Sequence, residues 1–327
     1  MSDACSLNWR PSASIANLQK RAQIINQIRQ FFAGRNVWEV DTPSLCSSTV
    51  TDLHMQAFVT EFTCPPSGKT QSLYLQTSPE YAMKRLLCAG SGAIFQICKA
   101  FRNEDAGPNH NPEFTMLEWY RPGFDHLQLM EELSELVQVV LGCKAADKIS
   151  YQQACQQFLQ LDPLSASLEE VRALGSELGY GHICAQEQNI DTLLQLLFCQ
   201  HVEPNIGQDA PCFVYDFPAS QAALARISSV DSRVAQRFEL YYQGKELANG
   251  FHELADAREQ RQRFSHENKQ RAANGLEQVS IDGHFLDALQ AGLPDCAGVA
   301  VGIDRLIMLA LGESDISRVL AFSYHNA

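Results

Sequence analysis

The chain has 327 residues, enough to bury about 75% of its unfolded surface without help from a metal or a disulfide. Hydrophobic residues make up 45% and charged residues 19%, ordinary for a globular chain, and eleven cysteines without a Cys-x-x-Cys pair argue against a zinc ribbon. Thirty-eight acidic against twenty-five basic side chains give a net charge of −13, which argues against stable nucleic-acid binding but does not exclude a small anion held by a few arginines.

Residues 14–35 predict an amphipathic helix, with Ile15, Leu18, Ala22, Ile25, Ile28 and Phe32 at helical spacing and Gly34 as its stop. A short strand is expected at 37–40, before Asp41-Thr42-Pro43, and another at 73–76. Ser78-Pro79 reads as a cap with proline at the first helical position, opening a helix to about Leu87. Strands are expected at 93–101 and 113–120, separated by the polar segment RNEDAGPNHNP. Residues 126–141 read as helix, and 150–205 as mostly helical with a capping box at Ser167–Glu170. A strand at 212–216 precedes a hairpin, 237–243 and 245–251, turning at Gly244. Helix 254–273, strand 298–301 and helix 304–311 complete the chain. Neighbouring strands without regular strand–helix alternation predict an α+β fold with a mostly antiparallel sheet. No leader pattern opens the sequence and no apolar run approaches about 18 residues, so a cytoplasmic address with reduced thiols and no membrane contact is expected.

Three blocks carry candidate chemistry. In FRNEDAGPNHNPEFTMLEWY (101–120), Phe114, Met116, Glu118 and Tyr120 share one strand face. Alternation does not say whether that face is buried or solvated. The planar fork of Arg102 suits a phosphate, or equally a surface pair with Glu104 or Asp105. In FELYYQGKELANGFHELAD, Glu239 and Glu246 share a face if Gln243-Gly244 is a two-residue turn, and paired acids suit magnesium carrying nucleotide phosphates. Asn249, Phe251 and Glu253 have the other parity, and a bulge at Asn249-Gly250 is the expected way to re-aim them. In GVAVGIDRLIMLALG (298–312), small residues at 298, 300 and 302 permit close approach of a ligand or of backbone. Arg305 in the first helical turn opposes the helix dipole unless it faces an anion; the alternative is a solvated arginine at a buried corner.

In order and spacing the blocks resemble class II aminoacyl-tRNA synthetases, specifically the lysyl-tRNA synthetase catalytic domain. Residues 19–45 are similar to motif 1, the dimer-forming element, 101–120 to motif 2 and 298–312 to motif 3; TSPE (77–80) and ELANGFHEL (246–254) are similar to lysyl-type signatures. The resemblance implies a single catalytic domain over 1–327 with a helical insertion near 150–205, a homodimer, and ATP and Mg²⁺ as cofactors. It implies Arg102 and Arg305 as catalytic residues. Asn103, Glu104, His110, Asn111, Phe114, Glu246, Leu247 and Gly302 join them at ATP, with Glu239 and Glu246 on the metal. Ser78, Pro79, Glu80, Glu118, Tyr120, Asn249, Phe251, Glu253 and Ala300 would line the amino-acid pocket. Three acids there, Glu80, Glu118 and Glu253, suit a substrate with two ammonium groups.

Two departures redirect the expectation. Motif 1 begins near residue 19, which leaves no room for the OB-fold anticodon-binding domain, and Ala300 stands where the lysyl enzymes carry glycine. One methyl shifts selectivity by about 1–3 kcal/mol, so a diamino acid with a displaced amino group becomes a reasonable occupant. The chain thus resembles truncated lysyl-type paralogues that activate (R)-β-lysine as an adenylate and transfer it to a lysine of elongation factor P. The rivals are a tRNA-charging enzyme without anticodon reading and a regulatory paralogue; the retained motif residues argue against the latter.

Overall fold

The computed structural model describes residues 9–103 and 106–327. In chain order the elements are α1 (Ile15–Ala33), β1 (Trp38–Glu39), β2 (Leu45–Cys46), β3 (Val59–Thr63), β4 (Thr70–Leu75), α2 (Glu80–Cys88), β5 (Ile94–Phe101), β6 (Glu113–Pro122), α3 (His126–Leu141), β7 (Asp147–Ser150), α4 (Tyr151–Leu159), α5 (Leu168–Gly175), α6 (Gly181–Gln186), α7 (Ile190–His201), β8 (Cys212–Pro218), β9 (Val234–Tyr242), β10 (Lys245–His252), α8 (Ala257–Ala273), α9 (Gly283–Gly292), β11 (Cys296–Gly302) and α10 (Ile303–Leu311). The strand order is β1-β5-β6-β11-β10-β9-β8-β7 in an eight-stranded sheet and β2-β4-β3 in a small antiparallel one. The large sheet is mixed: β1 and β7, its two end strands, pair in parallel with β5 and β8, whereas β8, β9 and β10 are antiparallel neighbours. The expected α+β class is thus observed, with parallel pairing at both ends. Among the described residues no helix is long and apolar enough to cross a membrane.

Contacts divide the chain into two compact units. One holds the described residues up to Trp119, with Asp256–Pro294 and Val301–Ala327; the other holds Tyr120–Ala255 and Asp295–Ala300. In the first, the Ser14 hydroxyl caps α1 by accepting from the Asn17 N–H at 3.1 Å. The helix buries Ile24, Ile28, Phe31 and Phe32, and Phe32 stacks on Phe95 at 4.5 Å with its edge to Trp119 at 5.2 Å. The predicted stripe is therefore rotated, and Ile15 is exposed. Two apolar stripes have helical spacing here, and only packing selects between them. Helix α8 starts three residues later than expected because the Asp256 carboxylate accepts from the Arg258 and Glu259 N–H groups. Residues 10–13 are tied far along the chain: Ser12 N donates to Ala321 O, Ala13 N to Leu320 O, and the Asn326 amide to Arg10 O.

In the second unit, β9 and β10 join through Gln243-Gly244, both at positive φ, with Tyr242 opposite Lys245, the two-residue turn expected from sequence. Helices α4–α7 enclose a core in which Tyr151 stacks on Phe198 at 4.8 Å and lies 5.0 Å from Phe217. The capping box at Ser167–Glu170 forms as read, and a second caps α4 at Ser150.

Candidate active site

In the first unit, Ser78 precedes α2. Its hydroxyl accepts from the Glu80 N–H at 3.0 Å and donates to Glu118 Oε2 at 2.7 Å. Glu118 is only 2% exposed, so the face it shares on β6 is buried rather than solvated. The opposite face is buried too, with Leu117 and Trp119 at 0%, which is why alternation could not choose between them. Ser78, Pro79 and Glu80 line a cavity of about 190 Å³, together with Ser48, Arg85 and Asp282. The Glu80 carboxylate is not left to a ligand alone: Lys84, one helical turn on and fully buried, donates to it at 2.6 Å.

Motif 2 forms the polar return between β5 and β6. Arg102 N donates to Pro112 O and Asn103 N to Gln56 O, fixing the exit of β5. The Arg102 guanidinium lies 5.2 Å from the Phe114 ring. Gly107 and His110 exchange backbone hydrogen bonds in a tight turn. Arg305, in the first turn of α10, reaches this turn, with Nε donating to Asn109 O at 3.3 Å and Nη2 to His110 Nε2 at 2.7 Å. Guanidinium has no acceptor, so His110 accepts and its Nε2 carries no proton in this contact. The structure thus brings Arg102 to Phe114 and Arg305 to His110. Asn111 is tied differently from expectation: its amide donates to Glu113 O at 2.6 Å and accepts from Tyr324 N at 3.1 Å, so within the chain it braces the strand entry. Glu104 lies outside the described residues. Gly302, at the start of α10, takes an extended conformation that needs no positive φ.

In the second unit the decisive feature is the register of β9 and β10. Glu246 pairs with Tyr241, but the next pairs are Ala248–Leu240, Asn249–Glu239 and Phe251–Arg237, so Leu247 is an extra residue. The predicted bulge exists, but at Leu247 rather than at Asn249-Gly250. One inserted residue reverses parity beyond it. Glu246, Asn249 and Phe251 consequently share the face that carries Arg237, Glu239 and Tyr241.

Arg237 organises this face. It donates to Glu239 Oε1, to Asn249 Oδ1 at 3.2 Å and to Gln221 O at 2.8 Å, while the Tyr241 hydroxyl donates to Glu239 Oε2. Burial pushes the Glu239 carboxyl above its ordinary range, Arg237 opposes this, and the like charge of Glu246 adds to it. Each Glu239 oxygen still has a lone pair after one bond. Among the described residues no three His, Cys, Asp or Glu side chains are grouped to hold a metal ion. Two carboxylates, one destabilised by the other, nevertheless match a magnesium ion that completes its shell with phosphates and water.

Glu253 is 1% exposed and its N–H donates to Cys296 O at 3.0 Å. Gly298 faces it on β11: a Cβ there would stand 2.3 Å from the Tyr120 ring and 2.6 Å from Glu253 Oε1. The close approach at this glycine is therefore made by the Tyr120 and Glu253 side chains rather than by backbone. Ala300, two residues on, is half-buried, and Leu247 is buried. Sequence reasoning missed Lys84 and Arg237. Both had a signal: Lys84 is four residues after Glu80 on a helix, and Arg237 two residues before Glu239 on a strand.

An α+β sheet fold, an arginine on the strand preceding a polar return, and a glycine-rich strand leading into a helix with a second arginine together define a class II synthetase core. The chain belongs to that family: the model for tRNA synthetases class II (D, K and N) matches residues 3–326. It is 59% identical over 319 residues to the elongation factor P–(R)-β-lysine ligase of Pseudoalteromonas translucida, covering 98% of each chain. It is 57% identical, with the same coverage, to the ligases of that name from Salmonella arizonae and Salmonella paratyphi B.

Proposed function

We propose that this protein is an ATP-dependent ligase that activates (R)-β-lysine as an aminoacyl adenylate and passes it to a lysine side chain of elongation factor P. The observation that carries this reading is identity of 57–59% over 98% of the chain to ligases named for joining (R)-β-lysine to elongation factor P. The acid chemistry supports it. Read from the sequence, Glu80, Glu118 and Glu253 supply three acids for the two ammonium groups of a diamino acid, with Lys84 paired to Glu80.

In the first step a substrate carboxylate oxygen attacks the α-phosphorus of ATP and pyrophosphate leaves. Arg102 meets the α-phosphate and the carboxylate, and Arg305 with His110 the outer phosphates. Phe114 stacks under adenine, and Asn103, Glu104 and Asn111, with Leu247 and Gly302, complete the nucleotide site. Glu239 and Glu246 would hold Mg²⁺, which would offset phosphate charge. In the second step a lysine amine attacks the acyl carbon, AMP leaves with the C–O electron pair, and the amine loses a proton as the amide forms. No covalent enzyme nucleophile is required; positioning and charge stabilisation carry both steps. Ser78, Pro79, Tyr120, Asn249, Phe251 and Ala300 shape the amino-acid site. The protein works in the cytoplasm as a homodimer through its motif 1 segment, without stable nucleic-acid binding.

ATP–pyrophosphate exchange with (R)-β-lysine, α-lysine and aspartate in parallel tests the activation step. Exchange is expected to be strongest with (R)-β-lysine; absence with all three refutes the reading. Incubation with elongation factor P or with tRNA then identifies the acceptor, and charging of tRNA alone refutes the protein acceptor.

A further inference from the structure

Beside the nucleotide residues lies a buried polar cluster that no step above uses. Asp304 is 2% exposed and sits immediately before Arg305; Thr115 is 6% exposed and sits immediately after Phe114. Arg21 of α1 bridges them. Its Nη1 donates to Asp304 Oδ1 at 2.5 Å and its Nη2 to Thr115 Oγ1 at 2.7 Å. The Thr115 N–H in turn donates to Asp304 Oδ2 at 2.6 Å, and Arg21 Nη1 also reaches Val319 O at 3.2 Å. The carboxylate thus has both oxygens engaged, one by a guanidinium and one by a backbone amide.

We infer that Arg21, Thr115 and Asp304 form a positioning clamp that sets the spacing between Phe114 and Arg305, and through it the ATP site. The inference rests on the nucleotide site proposed above. Its physical basis is adjacency. Phe114 and Arg305 are each one peptide from a clamp residue, so a shift of the clamp moves both. Each clamp contact is charge-assisted or made to a buried partner, so the pair is held against displacement. Arg21 touches neither reacting atoms nor substrate in this arrangement. The motif 1 helix therefore feeds directly into nucleotide geometry, apart from any part it has in subunit pairing. The geometry asks for arginine: a lysine at 21 would offer a point charge, not a fork that answers Asp304 and Thr115 together.

The test uses the full-length protein and four variants: Arg21→Lys, Asp304→Asn, Thr115→Val and Thr115→Ser. ATP affinity is read by calorimetry with ATP and Mg²⁺ alone, and KM for ATP and for (R)-β-lysine by pyrophosphate exchange. Far-ultraviolet circular dichroism confirms folding. Arg21→Lys and Thr115→Val are expected to weaken ATP about fivefold or more, because small misplacements near reacting groups are costly. The KM for (R)-β-lysine stays within about twofold, since the amino-acid residues lie off the clamp. Thr115→Ser, which keeps the hydroxyl, restores ATP affinity. Unchanged ATP affinity in folded Arg21→Lys and Thr115→Val overturns the inference, as does an equal rise in both KM values, which marks a merely structural role. Should Asp304→Asn fail to fold, the other three variants decide. Wild type that binds ATP but exchanges with no diamino acid refutes the proposed substrate and leaves the clamp to stand or fall on calorimetry. Wild type that does not bind ATP overturns both.

Discussion

Glu246 and Asn249 lie on one face of β10 although they are three positions apart, because Leu247 is bulged out of the ladder. Without the bulge the strand would turn its carboxylate to one side and its amide to the other. With it, Arg237 reaches Glu239 and Asn249 at once, and the residues proposed for magnesium and for the amino acid share a surface. A single inserted residue thus brings the two proposed binding roles onto one strand face.

Gly298→Ala is expected to damage the amino-acid site more than the nucleotide site. The new Cβ would overlap the Tyr120 ring and the Glu253 carboxylate, and neither neighbour is the loose end of an exposed chain. Overpacking of this kind costs about 1–3 kcal/mol, to be read from urea unfolding. Exchange with (R)-β-lysine should fall steeply while ATP affinity persists. Retention of normal exchange would show that Tyr120 and Glu253 can move away.

Lys84→Met removes the cation beside Glu80 in a site where the lysine is fully buried. Breaking one side of a buried pair costs about 3–5 kcal/mol, whereas replacing both partners is far milder. The double variant Lys84→Met/Glu80→Gln should therefore recover most of the lost stability. Additive losses in a denaturation series would rule out the pairing as the cause.

Ala300→Gly should widen acceptance towards α-lysine. The methyl is half-buried on β11 between the glycine against Glu253 and the glycine that opens α10. Removal of one methyl moves discrimination by about 1–3 kcal/mol, or ~10–200-fold in relative kcat/KM. An unchanged ratio of exchange with α- and β-lysine would show that Ala300 does not gate the substrate.

His252 predicts a pH response of stability. It is buried on β10, its Nε2 lies 3.0 Å from Asp295 Oδ1, and burial holds its pKa below the ordinary histidine value, against the pull of Asp295. Arg226, bonded to the same carboxylate at 2.7 Å, and His126, stacked at 6.4 Å, also oppose protonation. The unfolded chain therefore binds the proton more readily than the folded one. Stability from this group is present above about pH 6.5 and is lost as pH falls through its lower folded value. Urea midpoints compared at neutral and mildly acid pH should fall less in His252→Gln than in wild type. An identical fall would remove His252 as the source.

Most helices and the motif order were legible because their signals are local. Asp125 and Ser167 cap α3 and α5 through side chains that accept from N–H groups three residues on, and the hairpin turn needs only Gln243-Gly244. What failed was non-local. Strand β3 is exposed along its whole length, so it has no buried alternation to read, and it exists because β4 offers it a ladder. The bulge at Leu247 was displaced from the expected step because glycine at 250 is explained by the Phe238 ring lying against it, not by a need for unusual backbone. In the site, motif order pointed to residues whose roles are proposed, while the cations beside Glu80 and Glu239, Lys84 and Arg237, were visible only as spacings.

The bonds that tie residues 10–13 to 320–326 have a consequence for biosynthesis. Partners more than 300 residues apart cannot meet until nearly all of the sequence has been translated. Asn111, in the polar return between β5 and β6, waits in the same way for Tyr324. Domains assemble as the ribosome advances, and long-range closures come last and slowly. The return between β5 and β6, proposed above to hold ATP, therefore gains this brace only after residue 324 has been made, so a nascent chain carries the motif residues well before they are held in place.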